Sequence, residues 1–360
     1  MSVILASGLL VFSLPAKASL EGLQVGMKGP EFRLQDFAGK VHEHDEFFGE
    51  GVTAVLFWST WSLKSSKALE GFEELHREFG DKGLKVVAVS VEKQEITDTE
   101  IEIIQAKMAE LGLTLTVMLD MNLQMFEDYG VIAIPTTVIM DPARVILYEM
   151  SGFPLVGSEH MFDYVRGILE GREPSEKQVA AIGHKPTKQA IRYLNLGRKT
   201  MQKRTMITMA EPWFKKAIEA DPEFVSPYVE LARYYSMQER REQAEEVLMD
   251  GLWVEPSNPM ALCELSRVKL EADLVEQAIP LAAWAVESDF YFTPAHFILG
   301  SAYSRSGNYE EAMRHFDEAL ATNPFHPGIY LHRGDAHFAS GNKESAAADF
   351  EKALNLLLFK

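Results

Sequence analysis

The sequence predicts a two-domain protein in which an α/β sandwich precedes an all-α solenoid of repeats. Between about residues 22 and 171, short β-branched runs alternate with helical patterns, which is typical of a sheet packed between helices. From residue 225 onward, small residues recur with a period of 34, which indicates stacked helical repeats. The 360 residues are enough for two separate cores.

Bulk composition excludes several functional classes. The formal net charge is −18, which argues against nucleic acid or an anionic membrane as the main partner, because those need a basic surface. Hydrophobic residues make up 47% and charged residues 24%, which is ordinary for a soluble globular protein. The chain has one cysteine, Cys263, so no internal disulfide can form.

Residues 1–21 are predicted to be a leader with the features of a secretory signal peptide. Val3–Leu14 is an uncharged, mainly apolar run, and Ala16–Ala18 resembles a cleavage site. The run is shorter than the roughly 20 residues of a bilayer span, so we expect no transmembrane segment. Because no Lys or Arg precedes the run, a disordered apolar leader is the alternative. Export to the periplasm or cell envelope is expected, with the cytoplasm as the alternative.

Residues 22–171 show the alternation of an α/β domain, with each apolar β-branched run followed by a helical or turn pattern. The predicted strands are Val52–Trp58, Leu84–Val91, Leu113–Leu119, Thr136–Met140 and Val145–Tyr148. The predicted helices are Ser62–Phe79, Asp98–Leu111, Leu123–Tyr129 and Ser158–Leu169. Residues 172–189 are polar and contain two prolines, so they are predicted to be a linker.

Residues 190–360 are predicted to contain about five repeats, the first of which begins near Ala190. The other four are residues 225–258, 259–292, 293–326 and 327–360. Position 20 of these four units is Ala244, Ala278, Ala312 and Ala346, and position 27 is Gly251, Ala285, Ala319 and Ala353. Small residues at fixed spacing let two helices approach closely. The period and pattern resemble the tetratricopeptide repeat (TPR), and this resemblance implies a concave surface that binds segments of other proteins.

The stretch Trp58–Ser65 lies where a buried strand turns into an amphipathic helix. A pair of cysteines at such a turn can cycle between dithiol and disulfide, because the helix N-terminus lowers the pKa of one thiol. Here Ser62 and Ser65 stand at the two positions of that pair. Serine cannot form a disulfide, so the ordinary redox chemistry is absent.

Three groups of residues carry a resemblance to the thioredoxin-like TlpA/ResA group, over about 145 residues. They are Gly26 with Pro30-x-Phe32-x-Leu34-x-Asp36, then Phe57–Ser62, and Tyr129–Val131 with Ile134–Thr137. The resemblance implies a CxxC pair that reduces or exchanges disulfides, here degenerate at Ser62 and Ser65. It also implies a cis peptide bond before Pro135, beside which exposed backbone pairs with an extended substrate. The implied binding surface is Trp61, Ser62, Lys64, Ile134 and Pro135.

The serines allow three interpretations. Ser62 is best explained as the N-cap of the following helix, with its hydroxyl accepting a backbone hydrogen bond. An activated Ser62 nucleophile would need a base, and the turn offers only Lys64. A peroxiredoxin would need a cysteine three residues after Thr60, where Leu63 stands. We therefore expect no catalytic residue at this turn.

Three further segments have simpler explanations. His42–Glu46 could suggest a metal, but it is more typical of a solvated hairpin rim, and no metal is expected. Cys263 lies in a repeat helix beside Leu262 and Leu265, as a small core residue does. The apolar end at Leu354–Phe359 has no polar cap. We expect it to dock on the α/β domain, on a second copy of the chain or on a partner.

These observations predict a redox-inactive scaffold or adaptor rather than an enzyme. It would bind other proteins or peptides through the repeat groove and the Pro135 ledge. The alternative is a thiol-disulfide oxidoreductase or a peroxiredoxin-type antioxidant enzyme that works with a partner's cysteines. A module that handles small molecules or haem has no ligand motif in this sequence, so no cofactor is expected.

Overall fold

The computed structural model of the chain describes residues 20–175, 178, 182–203 and 205–358. Up to about residue 170 these residues form an α/β domain with one seven-stranded sheet. Its strands are β1 (Arg33–Gln35), β2 (Val41–Glu43), β3 (Val52–Trp58), β4 (Leu84–Ser90), β5 (Thr116–Leu119), β6 (Thr136–Met140) and β7 (Ile146–Ser151). Its helices are α1 (Leu63–Phe79), α2 (Asp98–Leu111), α3 (Gln124–Asp128) and α4 (Leu155–Leu169).

Strand β3 is the centre of the domain. The strand order is β2-β1-β5-β4-β3-β6-β7, with β4 parallel and β6 antiparallel to β3. All seven residues of β3 are buried. Their side chains alternate between two cores, with Ala54, Leu56 and Trp58 in one and Val55 and Phe57 in the other, as the period of a strand requires. The turn that follows Trp58 is therefore fixed between the ends of two neighbouring strands.

The predicted elements agree with the structure where the pattern is long. Strands β3 and β6 and helix α2 have the predicted bounds. Strands β4, β5 and β7 and helices α1, α3 and α4 differ from prediction by one to three residues at an end. Strands β1 and β2 were not predicted, because three residues each are too few to show a period.

A helical array follows the α/β domain. Within residues 188–203 and 205–358 it has ten α-helices in five pairs, as the repeat register predicts. The pairs are α5 (Lys188–Met201) with α6 (Ala210–Ala220), α7 (Ser226–Met237) with α8 (Arg241–Val254), α9 (Pro259–Glu271) with α10 (Val275–Ser288), α11 (Thr293–Arg305) with α12 (Tyr309–Thr322), and α13 (Pro327–Ala339) with α14 (Lys343–Leu358).

Close helix packing within each pair depends on small residues. The four position-20 alanines are at most 1% exposed. The sizes of the two residues that meet between the helices of a pair also vary in opposite directions. Phe316 lies against Gly300, where an added Cβ would stand 2.9 Å from the ring and 3.2 Å from the backbone oxygen of Ala312. At the same two positions of the 225–258 unit the chain has Ala232 and Leu248, so a larger residue on one helix meets a smaller one on the other.

Gly300→Ala is therefore expected to destabilise the array by about 1–2 kcal/mol. The overpacking cost is about 2–3 kcal/mol, in the upper part of the usual range because the added Cβ also meets a backbone oxygen, and it exceeds the helix-propensity gain of about 1 kcal/mol. The measurement is chemical unfolding followed by helical circular dichroism. The control is Gly300→Ala with Phe316→Leu, which copies the natural Ala232–Leu248 pair and should recover most of the loss. Equal stability of wild type and Gly300→Ala would contradict the packing argument.

The array packs against the α/β domain along its length. The first helices of successive units supply these contacts. The Arg198 guanidinium donates to the Gly22 carbonyl, the Ser226 hydroxyl donates to the Gln24 side chain at 2.7 Å, and Arg233 lies 3.5 Å from the Glu21 carboxylate. Leu262, Cys263 and Ala295 share one apolar cluster with Ile132 and Ala133. The first helices of the first four units thus contact the chain's own α/β domain at these positions.

The N-terminal residues that the structure describes pack on the α/β domain. The predicted leader, residues 1–21, lies outside the described residues except for Leu20 and Glu21. Leu20 is 1% exposed and bridges Val131 in the α/β domain, so it belongs structurally with that domain. Among the described helices, none combines the length and the hydropathy that crossing a bilayer requires.

At the other end, α14 contacts the α/β domain through one hydrogen bond from the Gln94 amide to the Leu356 carbonyl, at 3.2 Å. Leu356 is 5% exposed, whereas Leu354, Leu357 and Leu358 are 50–67% exposed. Leu356 packs with Tyr330 and Ala353 of the array itself, so the expected docking of the apolar side chains on the α/β domain stays a prediction. Self-association through the exposed leucines stays a prediction, and Phe359 lies outside the described residues.

Candidate functional site

The two serines of the turn are held by hydrogen bonds to backbone groups. Ser62 occupies the N-cap position of α1, with extended backbone. Its hydroxyl does not cap the helix, however, and instead donates to the Ile134 carbonyl at 3.4 Å. Ser65, 1% exposed, accepts a hydrogen bond from the Ser59 backbone N–H at 3.2 Å. The predicted capping bond of Ser62 was therefore wrong, because the neighbouring loop offers a carbonyl to the hydroxyl.

A nucleophilic Ser62 finds no support in this geometry. A carbonyl oxygen such as that of Ile134 has no capacity to remove the hydroxyl proton. Lys64, the cation within the turn, is directed at an aromatic ring, with its Nζ 3.8 Å from the centroid of Tyr291. The turn therefore lacks the paired base that an activated serine requires.

Glu92 organises the turn and was not singled out from the sequence. Its carboxylate accepts from the Ser59 hydroxyl at 2.8 Å, from the Thr60 backbone N–H at 2.8 Å and from the Thr60 hydroxyl at 2.9 Å. Ser90 of β4 pairs with Trp58 of β3, which brings Glu92 to the turn. Parallel pairing of two consecutive predicted strands is the signal that could have found it. Hydrogen bonds to a charged acceptor are among the stronger ones, so Glu92 fixes the backbone that leads into Ser62.

The loop before β6 forms the opposite wall of the site. The Ile134–Pro135 peptide bond is cis, and both residues are buried. The Ile134 backbone N–H donates to the carbonyl of Thr322 at 2.9 Å. Thr322 is the last residue of α12, so the backbone donor of the predicted Pro135 ledge is paired with the array.

Trp61 and Lys64 also contact the array. Trp61 is 37% exposed, and its ring lies edge-on to Phe325 with the centroids 6.1 Å apart. Lys64 contacts Tyr291. Phe325 and Tyr291 both follow the second helix of a repeat. The structure therefore brings Trp61, Ser62, Lys64, Ile134 and Pro135 together at one place, at the contact between the two domains.

Cys263 lies on α9, far from the serine turn in sequence. It is 6% exposed and packs in the apolar cluster that joins the two domains. Burial raises the pKa of the Cys263 thiol well above its ordinary value. A thiol reacts mainly as its thiolate, so Cys263 is poorly suited to thiol exchange in this structure.

No metal site is found among the described residues, judged by groups of at least three His, Cys, Asp or Glu side chains. In the predicted hairpin rim, His42 lies 3.0 Å from the Asp36 carboxylate and 2.9 Å from that of Glu46. These contacts, first of all the hydrogen bond with Asp36, raise the pKa of His42. Both ring nitrogens of His42 are therefore hydrogen-bonded to carboxylates.

Comparisons with known proteins match the two parts of the chain to different families. Residues 25–149 match the AhpC/TSA family, and residues 263–327 and 299–356 match tetratricopeptide repeats. The thiol-disulfide oxidoreductase ResA of Bacillus thuringiensis subsp. konkukian is 26% identical over 148 residues, which are 41% of this chain and 80% of that protein. ResA of Bacillus subtilis strain 168 is 28% identical over 154 residues, which are 43% of this chain and 81% of that protein.

Among solved structures, MamA from Desulfovibrio magneticus RS-1 aligns with 47% of this chain and 96% of its own, at 19% identity and a TM-score of 0.39. The family matches and the ResA relatives accord with the sheet topology and the paired helices. The chain therefore consists of an AhpC/TSA-type thioredoxin-like domain followed by a tetratricopeptide array.

Proposed function

We propose that this protein is a redox-inactive binding scaffold or adaptor of the periplasm or cell envelope. The observation that carries the proposal is the thioredoxin-like turn that holds Ser62 and Ser65 in place of a cysteine pair. Their hydroxyls make hydrogen bonds with backbone groups and have no means of exchanging electrons with a disulfide. The surface around the turn remains, whereas the reactive atoms do not.

A binding role is supported by the attached array. Tetratricopeptide arrays present extended surfaces to segments of other proteins, and the chain has five helix pairs within the described part of its array. The net charge of −18 disfavours nucleic acid as the partner. Other proteins or peptides are the class of partner that this combination accommodates best. Co-purification from an envelope fraction, with cytosolic extract as the comparison, would test both the partner class and the location.

A second candidate function is thiol-disulfide exchange or peroxide reduction that uses a partner's cysteines. It is favoured by one observation, that the ResA relatives are named thiol-disulfide oxidoreductases. The only thiol of this chain, Cys263, is buried in the apolar cluster between the domains. An enzyme of this kind would therefore have to borrow both reactive sulfurs.

The deciding measurement is disulfide reduction and peroxidase turnover by the full chain, both purified and with its co-purified partners, beside a Cys263→Ala variant. We expect both proteins to remain at the background rate. Turnover by wild type would contradict the scaffold proposal, and its loss in Cys263→Ala would identify the responsible sulfur.

Self-association through Leu354, Leu357 and Leu358 is tested by light scattering of a chain that ends at Ala353. This shortened chain should be monomeric under conditions in which the full chain associates.

A further inference from the structure

Two aromatic residues at equivalent positions of successive repeats contact the serine turn. Tyr291 and Phe325 are 34 residues apart, and each follows the second helix of its unit, α10 and α12 respectively. Their rings contact the thioredoxin-like domain. We call the loop that follows α10 and carries Tyr291 the Tyr291 corner, and the loop that follows α12 and carries Phe325 the Phe325 corner. Such loops are exposed in an isolated array, so an aromatic ring in each implies a surface against which it packs.

Phe325 fills a gap in the thioredoxin-like domain. Its ring lies edge-on between Trp61 and Phe126, with centroid distances of 6.1 and 5.7 Å. It packs against one core cluster of the α/β domain, not against the clusters of the array. Edge-to-face geometry is a favourable arrangement of aromatic rings. The ring is therefore a specific contact between the domains.

The backbone that precedes Phe325 is bound as well. The Thr322 carbonyl accepts the hydrogen bond from the Ile134 N–H at 2.9 Å. Thr322–Phe325 thus offers a carbonyl to the loop before Pro135 and, three residues later, an aromatic side chain to the gap between Trp61 and Phe126. Thr322 ends α12, and Pro324 and Phe325 lie in the turn that follows, so a helix end and its turn present the carbonyl and the ring together.

The second corner lies on the other side of the turn. The ring of Tyr291 packs against Gly152, where an added Cβ would stand 2.6 Å from it, and Lys64 Nζ lies over the same ring. The two corners contact Trp61 and Lys64, so the turn from Trp61 to Lys64 has an array contact at each end. A partner that approaches this turn meets the array first.

We propose that the surface formed by Trp61, Phe126 and the Ile134 N–H is a recognition site for a polypeptide turn at the end of a helix, and that Thr322–Phe325 occupies it in cis. The partner would present a backbone carbonyl followed three residues later by an aromatic side chain, as the array's own segment does. The proposal rests on the binding function proposed above and names its ligand. Beside the site, a cavity of about 400 Å³ lined by Phe126, Ile132, Phe325 and residues of α11 has room for flanking residues of the partner.

Competition follows from this arrangement. A tethered segment acts at an effective concentration in the millimolar range, so the corner excludes a free peptide of equal intrinsic affinity. Weakening the corner should expose the site without changing it. The probe is a fluorescent peptide that copies residues 320–328, titrated into the full chain and followed by anisotropy.

Phe325→Ala is expected to bind this peptide at least about 10-fold more tightly than wild type, because the competing tether is weakened. Phe338→Ala is the matched control, since Phe338 is 62% exposed on α13, and it should behave like wild type. A peptide in which the Phe325 equivalent is alanine should not bind. Adding Trp61→Ala to Phe325→Ala should abolish binding. Phe325→Leu keeps an apolar side chain and serves if the alanine variant does not fold; its peptide affinity should lie between those of wild type and Phe325→Ala.

Equal peptide affinity of wild type and Phe325→Ala would show that the corner does not cover the site. A folded Phe325→Ala that binds no peptide at millimolar concentration would show that the site does not recognise this chemistry. Either result overturns this inference and leaves the scaffold proposal standing. Redox turnover by wild type would overturn the scaffold proposal without affecting the peptide competition.

Discussion

Ser62→Cys with Ser65→Cys is expected to give the full chain disulfide-reductase turnover roughly 100-fold or more above wild type, because wild type has no exchangeable thiol pair. The sulfur at position 62 would stand at the N-terminus of α1, where the helix dipole stabilises a thiolate. That thiolate attacks a substrate disulfide, which forms a mixed disulfide and releases one substrate thiol. The sulfur at position 65 then attacks the mixed disulfide, so that a disulfide between positions 62 and 65 forms and the second substrate thiol leaves. Dithiothreitol regenerates the pair.

The measurement is insulin reduction with dithiothreitol, after subtraction of the uncatalysed rate. Ser62→Cys alone is the control, since it can form a mixed disulfide but lacks the resolving thiol. Adding Phe325→Ala to the double variant should raise turnover further if the corner limits access to position 62. Turnover by wild type at the level of the double variant would refute the argument that the two serines account for the lost chemistry.

Arg233→Met is expected to destabilise the protein by about 2–4 kcal/mol, because it leaves partly buried carboxylates without a cation. The Arg233 guanidinium lies 3.3 Å from Glu264, 3.7 Å from Glu230 and 3.5 Å from Glu21 of the thioredoxin-like domain. The side chains of Glu230 and Glu264 are both 7% exposed. The lower part of this range is favoured because Arg198 and Arg267 keep a contact with one carboxylate each.

Urea unfolding, with helical circular dichroism as the signal, measures this effect. The matched control is Arg314→Met, which breaks the exposed Arg314–Glu311 pair and should cost less than about 1 kcal/mol. The Arg233→Met protein should also be cleaved more readily by protease near residues 20–24, because Arg233 is one of the contacts that hold this segment. Equal stability of the two variants would show that the Arg233 contacts contribute little.

Local pattern was enough to predict most of the fold. Strand β3 is mainly an apolar run, so its bounds follow from composition, and the repeat register places small residues at fixed helix contacts such as position 20. Both are properties of neighbouring residues. The cysteine positions of the turn also follow from sequence alone, and with them the expected loss of redox chemistry. Short elements such as β1 and β2 could not be predicted, because their pairing partners, and not their own residues, define them.

Only the tertiary structure determines which residues form hydrogen bonds with the serine turn and with the loop before Pro135. Glu92 reaches Thr60 because two parallel strands end side by side, and Ile134 pairs with Thr322 because the array folds back over the domain that precedes it. Contacts of this kind join residues far apart in the chain, and no period or spacing records them. The sequence thus determined a thioredoxin-like domain without its cysteines and an array of repeats. Only the packing of one against the other decided that Phe325 occupies the surface beside the serine turn.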